Sequence, residues 1–151
     1  MIWKQPRRAS PNELNDDYKF MAVRHPLERL VSAWKYFTPG DRLRHSQVFR
    51  HSVWPDMPFD AFIELIVQHP NKDKHTTPQT RFKGDADIDL LVKLENLPKH
   101  WNTLVGRFPV DEITHKNKTD HDEWWTYYRP SLAQMALEAY GADLKLYERA
   151  A

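Results

Sequence analysis

Arg24, Arg29 and Ser32 make the sharpest chemical offer in this chain. Arg29 and Ser32 stand three apart, a spacing that puts them on one face of a helix, and Arg24 lies just ahead of Pro26. Two guanidinium groups present planar forks of N–H donors that match the oxygens of a phosphate or sulfate, and a serine hydroxyl adds another donor. A helix starting at Pro26 adds its unbonded backbone N–H groups and the positive end of its dipole on the same side. An oxyanion fits such a set. The same string also admits a structural use, in which the arginines pair with Glu28 or another carboxylate and Ser32 faces water.

Residues 18–37, YKFMAVRHPLERLVSAWKYF, must hold these groups in place. Tyr18, Phe20, Met21, Ala22 and Val23 form a short apolar run that predicts a strand covered on both faces. Pro26 ends strand pairing and presets the first helical dihedral. Leu27, Leu30, Val31, Trp34 and Phe37 then recur at helical spacing and predict one apolar stripe facing a core. The end of a strand beside the start of a helix is also where open α/β sheets bind phosphorylated ligands.

RHPLERLVSAWKYF resembles the 3′-phosphate-binding segment of carbohydrate sulfotransferases, enzymes that use 3′-phosphoadenosine 5′-phosphosulfate (PAPS) and in which the segment reads R-(D/E/H)-P-x-x-R-L-x-S. Further matches follow in order: HTTPQ at 75–79, DLLVKLENL at 89–97, HKNK at 115–118 and YGADLKLY at 140–147. The resemblance runs from about residue 18 onward. It implies that Arg24 and Ser32, with Arg29 beside them, hold the 3′-phosphate of PAPS, and that Lys116 and Lys118 neutralise phosphate nearby. It also implies that the loop carrying His75, Gln79 and Arg81 lines a hydroxyl acceptor of carbohydrate type, with Glu95 positioning a neighbouring loop or an acceptor hydroxyl. His75 is the candidate general base, because an imidazole titrates near neutrality. Each of these side chains also has a plainer use: lysines for solubility, Glu95 in a cap or ion pair, and His75 facing water.

Relatives open with an earlier strand and a K-x-x-x-x-(S/T) loop that cradles the 5′-phosphosulfate. Nothing before Tyr18 reads as that unit, and none of the four glycines lies between a strand and a helix in a phosphate-cradling context. The expected fold is therefore α/β and mostly helical, a small parallel sheet flanked by helices in a truncated P-loop-like sulfotransferase arrangement. Residues 1–17 are expected to form an irregular arm and 18–151 a single domain.

Composition narrows the options. The 151 residues carry 22 basic against 21 acidic side chains, so no global field points to nucleic acid or an anionic membrane, and anion binding must be local. Zero cysteines exclude disulfides and thiolate chemistry. That absence fits a reducing compartment, and the expected location is cytoplasmic. No apolar run is long enough to span a bilayer. No metal is expected: His45 and His51 lie six apart without a carboxylate at ligand spacing.

Beyond the first unit, FDAFIELIVQH at 59–69 predicts a helix with Phe59, Phe62, Ile63, Ile66 and Val67 on one side. Residues 71–84 read as a polar loop, and 88–94 as a second strand. A helix from about 97 to 108 should follow, with Asn96 at its cap, and 122–151 should be helical again with Pro130 at a start. Two functions follow. One is sulfuryl transfer from PAPS to a carbohydrate-like hydroxyl. The other is a non-catalytic 3′-phosphate module, or a partial domain completed by a partner chain or a second copy. A purely structural helical interaction protein is a third, weaker reading.

Overall fold

The computed structural model describes residues 18–39, 52–105 and 122–151. Strand β1 (Phe20–Val23) leads through Arg24 and His25 into helix α1 (Pro26–Phe37). Helix α2 (Phe59–Gln68) and short helix α3 (Gln79–Lys83) follow, then strand β2 (Leu90–Lys93), helix α4 (Leu97–Val105) and the long helix α5 (Pro130–Glu148). The architecture is α/β and mostly helical, with a two-stranded parallel sheet flanked by helices, as expected.

β1 and β2 pair in parallel, Phe20 opposite Leu90 and Val23 opposite Lys93. A parallel pair needs a long crossover, and here α1, α2 and α3 supply it. β2 finds partners for its outer edge at the chain's last residue. The N–H of Ala151 donates to the carbonyl of Leu91 (3.1 Å), and its carbonyl accepts from the N–H of Lys93 (2.9 Å). Both strands are shorter than their apolar runs, and β1 is not covered on both faces: Val23 is buried, but Phe20 is 44% exposed. Leu146 and Ala150 of the α5 region pack with Val23, and Met21 packs against that cluster partly buried, while Phe20 is left exposed.

The main core lies between helices. Leu27, Leu30, Val31 and Phe37 of α1 meet Phe59, Phe62, Ile63 and Ile66 of α2 and Leu132, Ala136 and Tyr140 of α5. At about 1.5–3 kcal/mol for each fully buried large apolar side chain, this cluster is the chief stabilising contribution. Pro26 sits in the first turn of α1, and Trp34 lies at the edge of the core with its indole N–H donating to the carbonyl of Met57 (2.7 Å). α5 departs from helical dihedrals at Tyr140 (φ −118°, ψ 18°), just before Gly141. The bend lets the first half of α5 serve the helical core while its last turns serve the sheet.

Two local expectations need correction. Residues 79–83 are helical rather than loop, because a carboxylate from α5 satisfies the start of α3. Residues 122–129 are not part of α5: Trp124–Tyr127 forms a 3-10 turn and Tyr128 is extended before Pro130. Another 3-10 turn, Leu94–Asn96, precedes α4, and Asn96 uses its side-chain oxygen to accept from Lys99 (3.2 Å). The arm at 1–17, His45, His51, Lys116 and Lys118 all lie outside the described residues.

Candidate functional site

Arg24 is the first residue past β1, and Ser32 lies two turns into α1. A guanidinium N–H of Arg24 donates to Ser32 Oγ at 2.8 Å. Because Oγ accepts that bond, the serine's own O–H stays available to donate onward. Arg24 Nε lies 3.8 Å from Glu28 Oε1, so the carboxylate foreseen in the structural alternative is close, at the edge of ion-pair range. The first turn of α1 has no side-chain cap from His25, which leaves its amide groups for another acceptor.

The backbone of Arg24 is clamped. Gln79 Oε1 accepts from the Arg24 N–H at 3.0 Å, while Gln79 Nε2 donates to the Arg24 carbonyl at 2.8 Å. The carboxamide thus stands in for a neighbouring strand's peptide, one residue beyond the end of β1. Gln79 is itself buried and held from α5: its N–H donates to Asp143 Oδ2 (2.6 Å), and Thr80 gives Asp143 Oδ1 both its N–H (2.9 Å) and its hydroxyl (3.0 Å).

Arg29 faces the loop before α3. Its two terminal nitrogens donate to the carbonyls of Thr77 (2.8 Å) and Lys74 (3.0 Å). Burial pulls its pKa below the ordinary arginine value, and the nearby Asp143 carboxylate opposes that pull. The group stays cationic at neutral pH, since arginine titrates so high. Tyr140 secures the same loop by donating its hydroxyl to the carbonyl of Thr76 (2.7 Å), and burial raises the pKa of that phenol. A cavity of about 230 Å³ opens between these parts, lined by Ala22, Val23, Arg24, Arg29, Gln79 and Leu94.

The remaining candidates sit elsewhere. His75 packs beyond Arg29 toward the end of α1, its ring stacked on Tyr36 (4.8 Å between centroids) and edge-on to Phe37 (5.2 Å). Its Nδ1 lies 2.7 Å from Asp73 Oδ1, an arrangement that turns Nε2 away from the carboxylate. Arg81 is exposed in the last turn of α3. Glu95, next to cavity-lining Leu94, accepts a hydrogen bond from the Tyr147 hydroxyl, whose pKa is pushed up to about 12 by burial and by that carboxylate. His25 stacks on Trp124 (4.5 Å) and meets Tyr147 edge-on (5.2 Å).

Arg24, Ser32, Arg29 and Gln79 are therefore brought together, while His75, Arg81 and Glu95 are not part of that group. Among the described residues no three His, Asp or Glu side chains gather at metal-binding range, and no helix is long and apolar enough to cross a membrane. Sequence reading missed Asp143, Thr80 and Asp73. The signal for Asp143 was present, since it falls on the stripe Leu132, Ala136, Tyr140, Leu146, where an apolar residue is due.

Comparison with curated proteins and with solved structures gives no match. The family model described as the sulfotransferase family matches residues 2–148, reaching upstream of the strand at which the quoted motifs begin. The match takes in almost the whole chain, including every element that builds the Arg24–Ser32 pair and its cavity, and the chain belongs to the sulfotransferase family.

Proposed function

We propose that this protein transfers a sulfuryl group from PAPS to a hydroxyl of a carbohydrate-like acceptor, and that Arg24 and Ser32, with Arg29 behind them, bind the donor's 3′-phosphate. The observation that carries this reading is the meeting of the Arg24 guanidinium and the Ser32 hydroxyl at 2.8 Å, beside an uncapped helix start, with Arg24 and Arg29 both lining a cavity. A dianion there would gain charge-assisted hydrogen bonds from the fork and the hydroxyl and the favourable end of the α1 dipole. About 230 Å³ lies below the roughly 300 Å³ at which drug-sized ligand sites begin, so the cavity suits a phosphate and its ribose rather than a whole nucleotide.

In the proposed reaction the acceptor oxygen attacks sulfur, the bond from sulfur to the bridging phosphate oxygen breaks, and adenosine 3′,5′-bisphosphate departs. His75 takes the acceptor proton, with Asp73 holding the ring in the tautomer that leaves Nε2 as base. Arg81 and Glu95 border the acceptor, and the positive charges of Lys116 and Lys118, which lie outside the described residues, are assigned to the nucleotide. The sulfuryl oxygens need donors of their own.

One observation favours a second reading, a 3′-phosphate-binding module without transfer or a domain that acts with a partner chain. Neither described glycine, Gly84 or Gly141, lies in a turn from a strand into a helix that could cradle the sulfuryl end. Isothermal titration with adenosine 3′,5′-bisphosphate, then transfer of radiolabelled sulfate from PAPS to oligosaccharides, separates the two. Binding that Arg24→Ala weakens, together with transfer, supports the enzyme. Binding without transfer supports the module, and no binding by the unaltered protein overturns both.

A further inference from the structure

The Arg24 guanidinium is aimed by a line of contacts that begins on α5. Asp143 of α5 is fully buried, yet it faces no cation at ion-pair distance among the described residues. Its two oxygens instead collect three donors, the N–H groups of Gln79 and Thr80 and the Thr80 hydroxyl. A buried carboxylate costs several kcal/mol in lost hydration unless such bonds replace the water. Here they all come from the first turn of α3, so α3 is pinned to α5 at its start.

The pinned residue then grips the anion site. Both polar atoms of the Gln79 side chain are spent on the N–H and carbonyl of Arg24, at 3.0 and 2.8 Å. Fixing both peptide groups of a residue fixes its Cα–Cβ direction, and for Arg24 that direction ends at Ser32 Oγ. No regular strand does this work, because β1 stops at Val23.

We propose that Asp143 and Gln79 are positioning residues for the phosphate site: Asp143 fixes the start of α3, Gln79 transmits that position to the Arg24 backbone, and the Arg24 guanidinium is thereby held over Ser32. This rests on the reading of Arg24 and Ser32 as the 3′-phosphate site. It gives Gln79 a role different from contact with the acceptor.

The test uses the full chain with Asp143→Asn, which keeps the shape but turns an amide donor toward N–H groups that need an acceptor, and Gln79→Met, which leaves the Asp143 bonds intact and cuts only the link to Arg24. Affinity is measured for adenosine 3′,5′-bisphosphate and for adenosine 5′-phosphate, which lacks the 3′ group. Each variant is expected to lose on the order of tenfold for the bisphosphate, the low end of what is lost when a group that orients a metal ligand is removed. The 5′-phosphate should bind as before. In an Arg24→Ala background neither substitution should cost anything further. Equal losses for both ligands, additive losses, or unchanged bisphosphate binding would each overturn the proposal.

A second readout needs no ligand. The Arg24 Nε–H resonance should shift or broaden in both variants relative to the unaltered protein, and an unmoved resonance overturns the positioning role. If the unaltered protein fails to bind the bisphosphate, the reading of the site falls, while a displaced Arg24 resonance still supports the positioning. Should Asp143→Asn fail to fold, Gln79→Met decides by the same two measurements.

Discussion

The two ends of α1 carry polar sites built in opposite ways. At its start, Arg24 is held by Gln79, 55 positions away, and Gln79 by Asp143, another 64 positions on. At its end, His75 is oriented by Asp73, only 2 positions away, and rests on Tyr36 and Phe37. The first site exists only when β1, α1, α3 and α5 are all in place. The second takes its orienting carboxylate and its stacking partners from one loop and one helix, while Arg29 and Tyr140 hold only the backbone of that loop. A change made far from the first site should therefore be felt at Arg24, whereas the tautomer of His75 should answer chiefly to Asp73.

The largest effect should come from the strut both sites share. Leu30 is 1% exposed on the core side of α1, and Leu30→Ala should cost about 2–5 kcal/mol of stability through lost burial and the cavity left behind. Thermal unfolding followed by circular dichroism would register it as a large fall in Tm. An unchanged Tm would mean that α1 is not the common support.

Next in size, Arg24→Ala should weaken binding of adenosine 3′,5′-bisphosphate by about 1.5–3 kcal/mol, the range for a hydrogen bond to a charged group, or roughly 10- to 150-fold. Its side chain is 31% exposed and gives up one hydrogen bond to Ser32, so the fall in Tm should be small beside the loss of binding. Titration calorimetry beside a melting curve tests the separation. A variant that binds normally removes Arg24 from the site.

What could be read in the sequence follows the same division between local and distant. Pro26 and the apolar spacing of α1 act within a few residues, so strand, turn and helix were legible from 18–37 alone, and with them the Arg24, Arg29 and Ser32 set. The two-stranded sheet was legible as two apolar runs, but its incomplete cover was not, because cover depends on which distant residues pack on the strand, and the Leu146–Ala150 cluster takes in Val23 and Met21 but not Phe20. α3 was hidden for the same reason. Residues 71–84 are polar, and the acceptor that makes 79–83 helical is Asp143, on another element. Gln79 illustrates the limit: a glutamine in a polar loop suggests a ligand contact, and only the fold reveals its grip on a backbone.

A smaller effect isolates the second site. Asp73→Asn replaces the carboxylate beside His75 Nδ1 with a neutral amide and so weakens the preference for the tautomer with Nε2 unprotonated. If His75 is the base, sulfate transfer should fall by about tenfold, a part of the roughly 100- to 10,000-fold that a general base contributes, with no change in bisphosphate affinity. Loss of affinity without loss of rate would contradict the independence of the two ends.

The smallest effect lies at the joint between Arg24 and Pro26. His25 is stacked on Trp124, and its Nδ1 is buried without a hydrogen-bond partner among the described residues. Burial holds its pKa below the ordinary 6.5, outweighing the upward pull of Glu95 and Glu148. The unfolded chain therefore takes up this proton more readily than the native one. Stability from the neutral ring is complete above 6.5 and is lost as the pH falls toward the depressed native value. His25→Phe keeps a ring for Trp124 and removes the titration, so the drop in Tm between about pH 7.5 and about pH 5.5 should be smaller in the variant than in the unaltered protein. An equal drop would mean that His25 titrates alike in both states. A larger drop in the variant would reverse the sign and place a favourable partner, rather than burial, in control of the ring.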